Sequence, residues 1–338
     1  MIFEENYSLK KYNTFGVDVI ANLFAEVFSE DELKNLLTDK PIQSKPKLFL
    51  GGGSNILFTK NFDGIVIKIS IGGIKIVDED EQSVTVEAGA GVAWNELVEY
   101  CVEKNFGGIE NLTLIPGTVG AAPIQNIGAY GQELKDTFFE LSGILIESGK
   151  EISFDKAACE FSYRSSIFKK ELKNKFVITS VKLRLKKNPL VNLSYKDVTD
   201  EIQKLNLSKA SIIDVCNVVK SIRQRKLPDP AMIKNAGSFF KNPVINFSKF
   251  EGMQKRYPSV KYYPVDEENV KIPAAWLIEK CGFKGSREGN VGTHHTQPLV
   301  IVNYGYASGS EILSFAEKIK HSVMDKFEIS LEFEVNII

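Results

Sequence analysis

Gly51-Gly52-Gly53-Ser54-Asn55 is the first stretch in this sequence whose residue types and spacing could do chemistry. Consecutive glycines let backbone N–H groups converge on an anion without side-chain obstruction, and Ser54 adds a hydroxyl donor. The run follows the apolar KLFL, so a glycine hairpin between two strands would leave the same string. No GxxxxGK[ST] occurs, so this is not a mononucleotide P-loop. A second cluster, Gly89-Ala90-Gly91, follows a strand-like stretch and precedes a helical one, which invites a dinucleotide-binding fingerprint. Trp94 stands where the third glycine belongs, and Glu110 sits in GGIENL rather than at the end of a second strand. That fingerprint is rejected. The third cluster is NLTLIPGTVGAAPIQNIGAYGQEL, residues 111–134, with Gly117, Gly120, Gly128 and Gly131 and almost no charge until Glu133. Small residues over such a length cannot fill a core, and a loop so poor in charge normally packs against something flat and bulky. Gln125 and Asn126 offer that body neutral hydrogen-bond partners.

Other chemistries are excluded by what is missing. The histidines are His294, His295 and His321, so no histidine triad or metal cage exists in the first 290 residues, and the adjacent pair lacks metal-ligand spacing. Cys101, Cys159, Cys216 and Cys281 form no CxxC pair, which argues against a disulfide scaffold or zinc knuckle. Cys101 and Cys281 both fall on apolar helix faces and read as core. Lys+Arg 42 against Asp+Glu 43 gives a net charge of −1, which rules out the simplest electrostatic nucleic-acid binder. No apolar run of about 18 residues exists to span a bilayer, and the first residues carry acids where a signal peptide wants bases. A soluble, reduced, cytoplasmic protein is expected.

The elements that must position these residues follow from periodicity. KLFL and GIVIKIS read as strands, and IKIVDEDEQSVTVEAG as a hairpin with a solvated acidic tip. Residues 92–105 turn helical. FVITSVKLRLKK alternates, with Val181, Leu183 and Leu185 on one face and Lys182, Arg184 and Lys186 on the other, as in a half-buried antiparallel strand. NPL at 188–190 breaks it, and a domain boundary is expected near 188–210. Beyond it come the helix SIIDVCNVVKSIRQRK, the short helix PAAWLIEKCG, the strand LVIVN and an amphipathic helix opened by a Ser308/Glu311 capping box. SLEFEVNII closes the chain as a strand. Mixed elements with mostly antiparallel pairing make the class α+β.

In this order, GGGSN, VEAGAG and IPGTVGAAPIQNIGAYG resemble the UDP-N-acetylenolpyruvoylglucosamine reductase family, within the flavin-binding superfamily of vanillyl-alcohol oxidase and p-cresol methylhydroxylase. NTFG at 13–16, SYRSSIFK at 162–169, KLPDP at 226–230, NAGSFFKNP at 235–243 and LEFEV at 331–335 extend the likeness over nearly the whole chain. The resemblance implies a two-part FAD-binding domain, 1–70 and 71–190, a C-terminal α+β substrate-binding domain, 205–325, and a final strand, 326–338, returning to the active site. It implies non-covalent FAD, NADPH as co-substrate and a UDP-sugar substrate reduced to UDP-N-acetylmuramate for peptidoglycan.

Hydride addition to an enol ether conjugated to a carboxylate pushes charge onto that carboxylate, and a proton must then reach the α-carbon. The matched positions imply Arg164 as the carboxylate fork, Ser238 as proton donor and Glu334 as support for the developing charge. A bare carboxylate there would repel the intermediate, so Glu334 must be protonated or act through Arg164 or water. Leu331, Phe333 and Val335 share one face of LEFEV and Glu332 and Glu334 the other, so only the motif prefers Glu334. The flavin positions implied are Gly51, Gly52, Gly53, Ser54, Asn55, Pro116, Gly117, Gly120, Gln125, Asn126 and Gly128. For the sugar nucleotide they are Tyr195, Lys226, Asn242 and Gln297, with the segment 189–200 resembling the family's longer variant, whose tyrosine loop closes over the substrate. An FAD-dependent alcohol or sugar oxidase of the same superfamily and a silent nucleotide-sugar binder are the competing readings. The histidine census excludes a histidyl flavin link before residue 294, but not a cysteinyl one.

Overall fold

An alternating stretch with one dry face needs partners on both edges, and Phe176–Lys186 has them. In the computed structural model, which describes residues 3–338, this strand lies antiparallel between Phe138–Leu145 and Ser83–Gly89. Val181, Leu183 and Leu185 are buried beneath it, as the alternation requires. Glu151–Asp155 and Ile74–Glu79 complete a five-stranded sheet. The acidic hairpin tip is more than solvated, because Asp80 accepts from Gln82 N (2.8 Å) and Ser83 N (2.7 Å) and faces Arg184 at 2.9 Å. Those donors hold its carboxyl at a pKa of about 2.

A four-stranded sheet, ordered Glu4–Ser8, Ile20–Val27, Phe62–Ile69 and Lys47–Leu50, is the exception to the mostly antiparallel pairing. Its last three strands run parallel. Strands running the same way need a crossover, and the helix Glu30–Thr38, capped by Ser29, supplies it between Ile20–Val27 and Lys47–Leu50, which flank Phe62–Ile69. One core joins the two sheets, with Ile65, Ile67 and Leu33 meeting Ile144 and Val177.

The chain forms two compact units. The first holds the described residues before Ser8, then Ile20–Gly53 and Phe62–Arg225; the second holds Ser8–Val19, Ser54–Asn61 and Lys226–Ile338. This departs from the boundary expected near 188–210. Pro189 ends the strand, but the helices that follow, Lys196–Lys204 and Ile212–Lys226, bury Val198, Ile202, Val215 and Val219 together with Val191 and Leu193. Ile212 and Cys216 enter the core of the five-stranded sheet.

In the second unit, Lys234–Ser238, Val300–Asn303, Val291–Thr293 and Arg287–Glu288 form an antiparallel sheet. The helix Gly309–Phe327 buries Ile312, Phe315, Ile319 and Val323, and its Ser308/Glu311 capping box is formed. SLEFEVNII is not one strand, a second correction. Phe333 bridges Phe240, and the chain then changes partner, with Asn336–Ile337 pairing in parallel with Ile56–Leu57. No helix among the described residues is long and apolar enough to cross a membrane.

Candidate active site

The glycines of the first unit sit where backbones meet. A Cβ on Gly51 would lie 2.6 Å from Thr118 Oγ1, one on Gly52 3.0 Å from Gly117 Cα, and one on Gly120 2.5 Å from Ala90 Cβ. Gly53 (φ 63°) and Gly117 (φ 119°) adopt backbone that side chains disfavour. The Gly89-Ala90-Gly91 cluster forms a rail for the long loop. Gly120 N donates to Ala90 O (2.9 Å), Val119 N to Val92 O (2.9 Å), and Trp94 N to Gly117 O (3.0 Å). A Cβ on Gly91 would lie 2.5 Å from the Ser70 backbone, so this glycine serves close strand packing and not a dinucleotide turn. Backbones free of side chains thus pack closely here, and such backbone can also approach the phosphates and ring edges of a ligand such as FAD. The compact-unit boundary falls inside the motif, with Gly51–Gly53 in the first unit and Ser54 and Asn55 in the second.

Asn126, expected at the flavin, has its side chain engaged within the protein. Its amide nitrogen donates to Glu133 Oε2 (3.0 Å) and Ser162 O (3.2 Å), and its oxygen accepts from Lys135 N (3.1 Å). Both N–H groups are thus committed inside the protein, and Asn126 shapes the loop. Gln125 and Gly128 are half-buried and Pro116 is exposed.

Arg164 occupies a two-residue turn in which Ser162 and Ser165 exchange both backbone hydrogen bonds. Its φ of 53° is left-handed, a conformation costing a bulky residue about 1–3 kcal/mol that surrounding contacts must offset. They do: Nη2 donates to Gly128 O (2.9 Å), and Asn126 holds the turn at Ser162. The 111–134 loop therefore aims Arg164.

Ser238 and Glu334 are brought together in the second unit. A β-bulge interrupts the pairing between Asn235 and Ser238, with Gly237 at φ 70° and its N–H bonded to Asn235 Oδ1 (2.9 Å). Bulges re-aim side chains. The next residue, Phe239, accepts Glu334 N–H at 2.8 Å, and Lys241 N donates to Glu332 O at 2.9 Å. Phe239 and Phe240 are buried against the Phe333 ring, at centroid distances of 5.3 and 5.6 Å. Asn55 Nδ2 donates to Glu334 O (3.2 Å) from the other side. Glu332 is exposed and paired with Lys241 Nζ at 2.8 Å; such surface pairs contribute about 0–1 kcal/mol.

The positions expected to hold the sugar nucleotide belong to both units. Tyr195, in the first unit, precedes the helix Lys196–Lys204 and meets the Tyr130 ring edge-on at 5.2 Å. In the second unit Asn242 Oδ1 accepts from Ala274 N (2.9 Å), at the first residue of the helix Ala274–Lys280. Gln297 Oε1 is buried without a hydrogen-bond partner, an acceptor waiting for a donor. Lys226 O receives the Thr296 hydroxyl at 3.3 Å, and that hydroxyl also meets His294 Nδ1 at 2.9 Å. Sequence reasoning missed Asn111, Asn192 and Arg223. Burial lowers the Arg223 pKa while nearby Tyr130 raises it, and its Nε is buried without a partner; only the basic end of its helix signalled it. The cysteines are poor anchors for a covalent flavin. Burial pushes the Cys101 and Cys159 thiols up to about 12 and raises Cys216, and a protonated thiol is a weak nucleophile.

Residues 21–155 match the family model described as an FAD binding domain, and residues 229–338 match the C-terminal domain of UDP-N-acetylenolpyruvoylglucosamine reductase. Fold and site thus define a flavin-dependent oxidoreductase with the two-part FAD-binding domain of the vanillyl-alcohol oxidase type. The chain is 48% identical over 339 residues to the UDP-N-acetylenolpyruvoylglucosamine reductase of Flavobacterium johnsoniae, and 48% identical over 338 residues to that of Amoebophilus asiaticus, with 100% of both chains covered each time. The crystal structure of the Thermus caldophilus enzyme shares the fold, with a TM-score of 0.67 at 24% identity over 99% of this chain and 98% of that one. The chain belongs to the UDP-N-acetylenolpyruvoylglucosamine reductase family.

Proposed function

We propose that the chain reduces UDP-N-acetylenolpyruvoylglucosamine to UDP-N-acetylmuramate for peptidoglycan synthesis, with NADPH as reductant and Arg164, Ser238 and Glu334 as its catalytic residues. Bound FAD would supply the redox chemistry, carrying a hydride from NADPH to the β-carbon of the enolpyruvyl group. The new C–H bond displaces the double-bond electron pair onto the α-carbon and its carboxylate. Arg164 holds that carboxylate with a planar fork of donors, which gain strength as the charge grows. The Ser238 O–H bond then breaks, its proton goes to the α-carbon, and water reprotonates the serine oxygen. One hydride and one proton have saturated the double bond. Glu334 supports the developing charge beside Ser238.

The observation that carries this reading is the hydrogen bond from Glu334 N–H to Phe239 O (2.8 Å), which sets an acid next to the bulge that aims Ser238. Gly51, Gly52, Gly53, Ser54, Asn55, Pro116, Gly117, Gly120, Gln125 and Gly128 are proposed to hold FAD non-covalently. Tyr195, Lys226, Asn242 and Gln297 are proposed to hold the sugar nucleotide, and the buried, unpartnered Gln297 oxygen supports its part. A cytoplasmic location belongs to the same proposal, because NADPH and nucleotide sugars are made there. The test is anaerobic: NADPH should bleach the flavin of the purified holoprotein, and the enolpyruvyl sugar nucleotide should restore its colour. Turnover that consumes oxygen and ignores the sugar nucleotide would make the protein an oxidase.

A further inference from the structure

The flavin loop and the tyrosine-bearing segment 189–200 are joined by two asparagines to which the proposed chemistry gives no role. Asn111 is buried, and its amide nitrogen donates to Tyr130 O and to Asn192 O, both at 3.0 Å. Asn192 returns the contact, donating to Gly131 O at 3.0 Å and to Gln132 Oε1 at 3.3 Å. Two successive loop carbonyls are therefore gripped, one by each asparagine.

A primary amide bridges two carbonyls from one atom by giving one N–H to each. The orientation is fixed as well, since a flipped amide would set its oxygen against both acceptors. Asn111 Oδ1 is buried without a hydrogen-bond partner, a cost that a residue serving packing alone would avoid. The seat is specialised too. Tyr130 is left-handed at φ 49°, and Gly131 follows at φ 81°, where a Cβ would fall on the Ser194 hydroxyl.

From Asn192 the grip passes to Tyr195. Asn192 Oδ1 accepts from Ser194 N (3.0 Å) and Ser194 Oγ (2.7 Å), and the Thr199 hydroxyl bonds Leu193 O. The Tyr195 ring meets the Tyr130 ring edge-on at 5.2 Å, and Tyr130, Val191 and Leu193 share one apolar cluster with Val198, Val215 and Val219.

We propose that Asn111 and Asn192 form a clasp that fixes Tyr195 relative to the flavin-binding loop, as positioning residues for the sugar nucleotide. The assignment rests on Tyr195 being a ligand of that nucleotide. A lid anchored at its root keeps its tyrosine in register with the flavin loop and loses less freedom when ligand binds.

The test compares Asn111→Ala and Asn192→Ala with Tyr195→Phe and with the Asn192→Ala/Tyr195→Phe double variant, all as holoprotein. Measured are KM for the sugar nucleotide, the rate of flavin bleaching by NADPH, and amide hydrogen exchange over 191–199. Each asparagine variant should raise that KM about tenfold, the loss of one to two hydrogen bonds, leave bleaching unchanged and speed exchange in the segment. The double variant should be no worse than Tyr195→Phe, because residues acting through one contact do not add. Faster exchange with an unchanged KM, where Tyr195→Phe does raise KM, overturns the clasp, as do unchanged exchange and full additivity. An unchanged KM for Tyr195→Phe alone overturns the ligand reading of Tyr195 instead, and faster exchange then still supports the clasp as a structural link. Asn192 is half-buried, so its variant folds where Asn111→Ala fails.

Discussion

Glu334 donates its backbone N–H to the carbonyl of Phe239, the residue after Ser238. That bond and its neighbour, from Lys241 N to Glu332 O, form a short antiparallel run in which the two acids of LEFEV meet different fates. Glu332 reaches solvent and the Lys241 ammonium, while Glu334 stays half-buried.

The two acids should therefore separate cleanly. Glu334→Gln, which keeps size and removes the charge, should slow reoxidation of the flavin by the sugar nucleotide about 10²-fold or more, within the range for acid–base assistance. Glu332→Gln should change that rate less than twofold and stability by about 0–1 kcal/mol. Stopped-flow absorbance of the flavin measures both, and equal losses would undo the assignment of Glu334.

Ser238→Ala should leave bleaching by NADPH intact while the second half-reaction falls by about 10²–10⁴. Single-turnover kinetics of each half isolate the step. Equal loss in both halves would mean that Ser238 supports binding or folding.

The close packing at the glycines gives a paired test. Gly120→Ala places a Cβ 2.5 Å from Ala90 Cβ on the rail, and overpacking of this kind costs about 1–3 kcal/mol. Purified protein should carry less flavin, read as the ratio of visible to ultraviolet absorbance. Gly72→Ala meets nothing within 4 Å, and both its flavin content and its stability should stay near those of the parent, within about 0.5 kcal/mol.

His294 predicts a pH dependence. Burial, with His295 beside it, lowers its pKa below the ordinary 6.5. The fold therefore prefers neutral imidazole, and below about pH 6.5 the unfolded chain takes up a proton that the native state refuses. This residue's contribution should be constant above that pH and lost as pH falls from 6.5 towards the folded value. Urea midpoints at pH 8 and 5.5 should differ less for His294→Asn than for the parent; an identical drop would place the effect elsewhere.

What could be read from the sequence was local. The alternation of residues 176–186, the capping box at Ser308 and the glycine turn after KLFL each depend on neighbours a few positions away, and each formed. Pairing over distance could not be read that way. The parallel partners of Phe62–Ile69 have the same local pattern as antiparallel ones. Pro189 marks the end of a strand but not which core the next helices join. The alternation in LEFEV put both acids on one face, because the lysine that claims Glu332 lies 91 positions away. Asn126 looked like an open hydrogen-bonding group because Ser162 and Lys135 were invisible as its partners.

The second unit is assembled from three stretches of chain, Ser8–Val19, Ser54–Asn61 and Lys226–Ile338. During synthesis the first two emerge long before the third. Phe15 O waits 288 positions for the Asn303 amide, and Ile56–Leu57 for Asn336–Ile337. Such closures are slow to form, so a nascent chain holds these two short stretches uncommitted while the sheets around them fold. Cutting the gene at residue 226 would not release a module, because the C-terminal fragment would lack the partners made at the start.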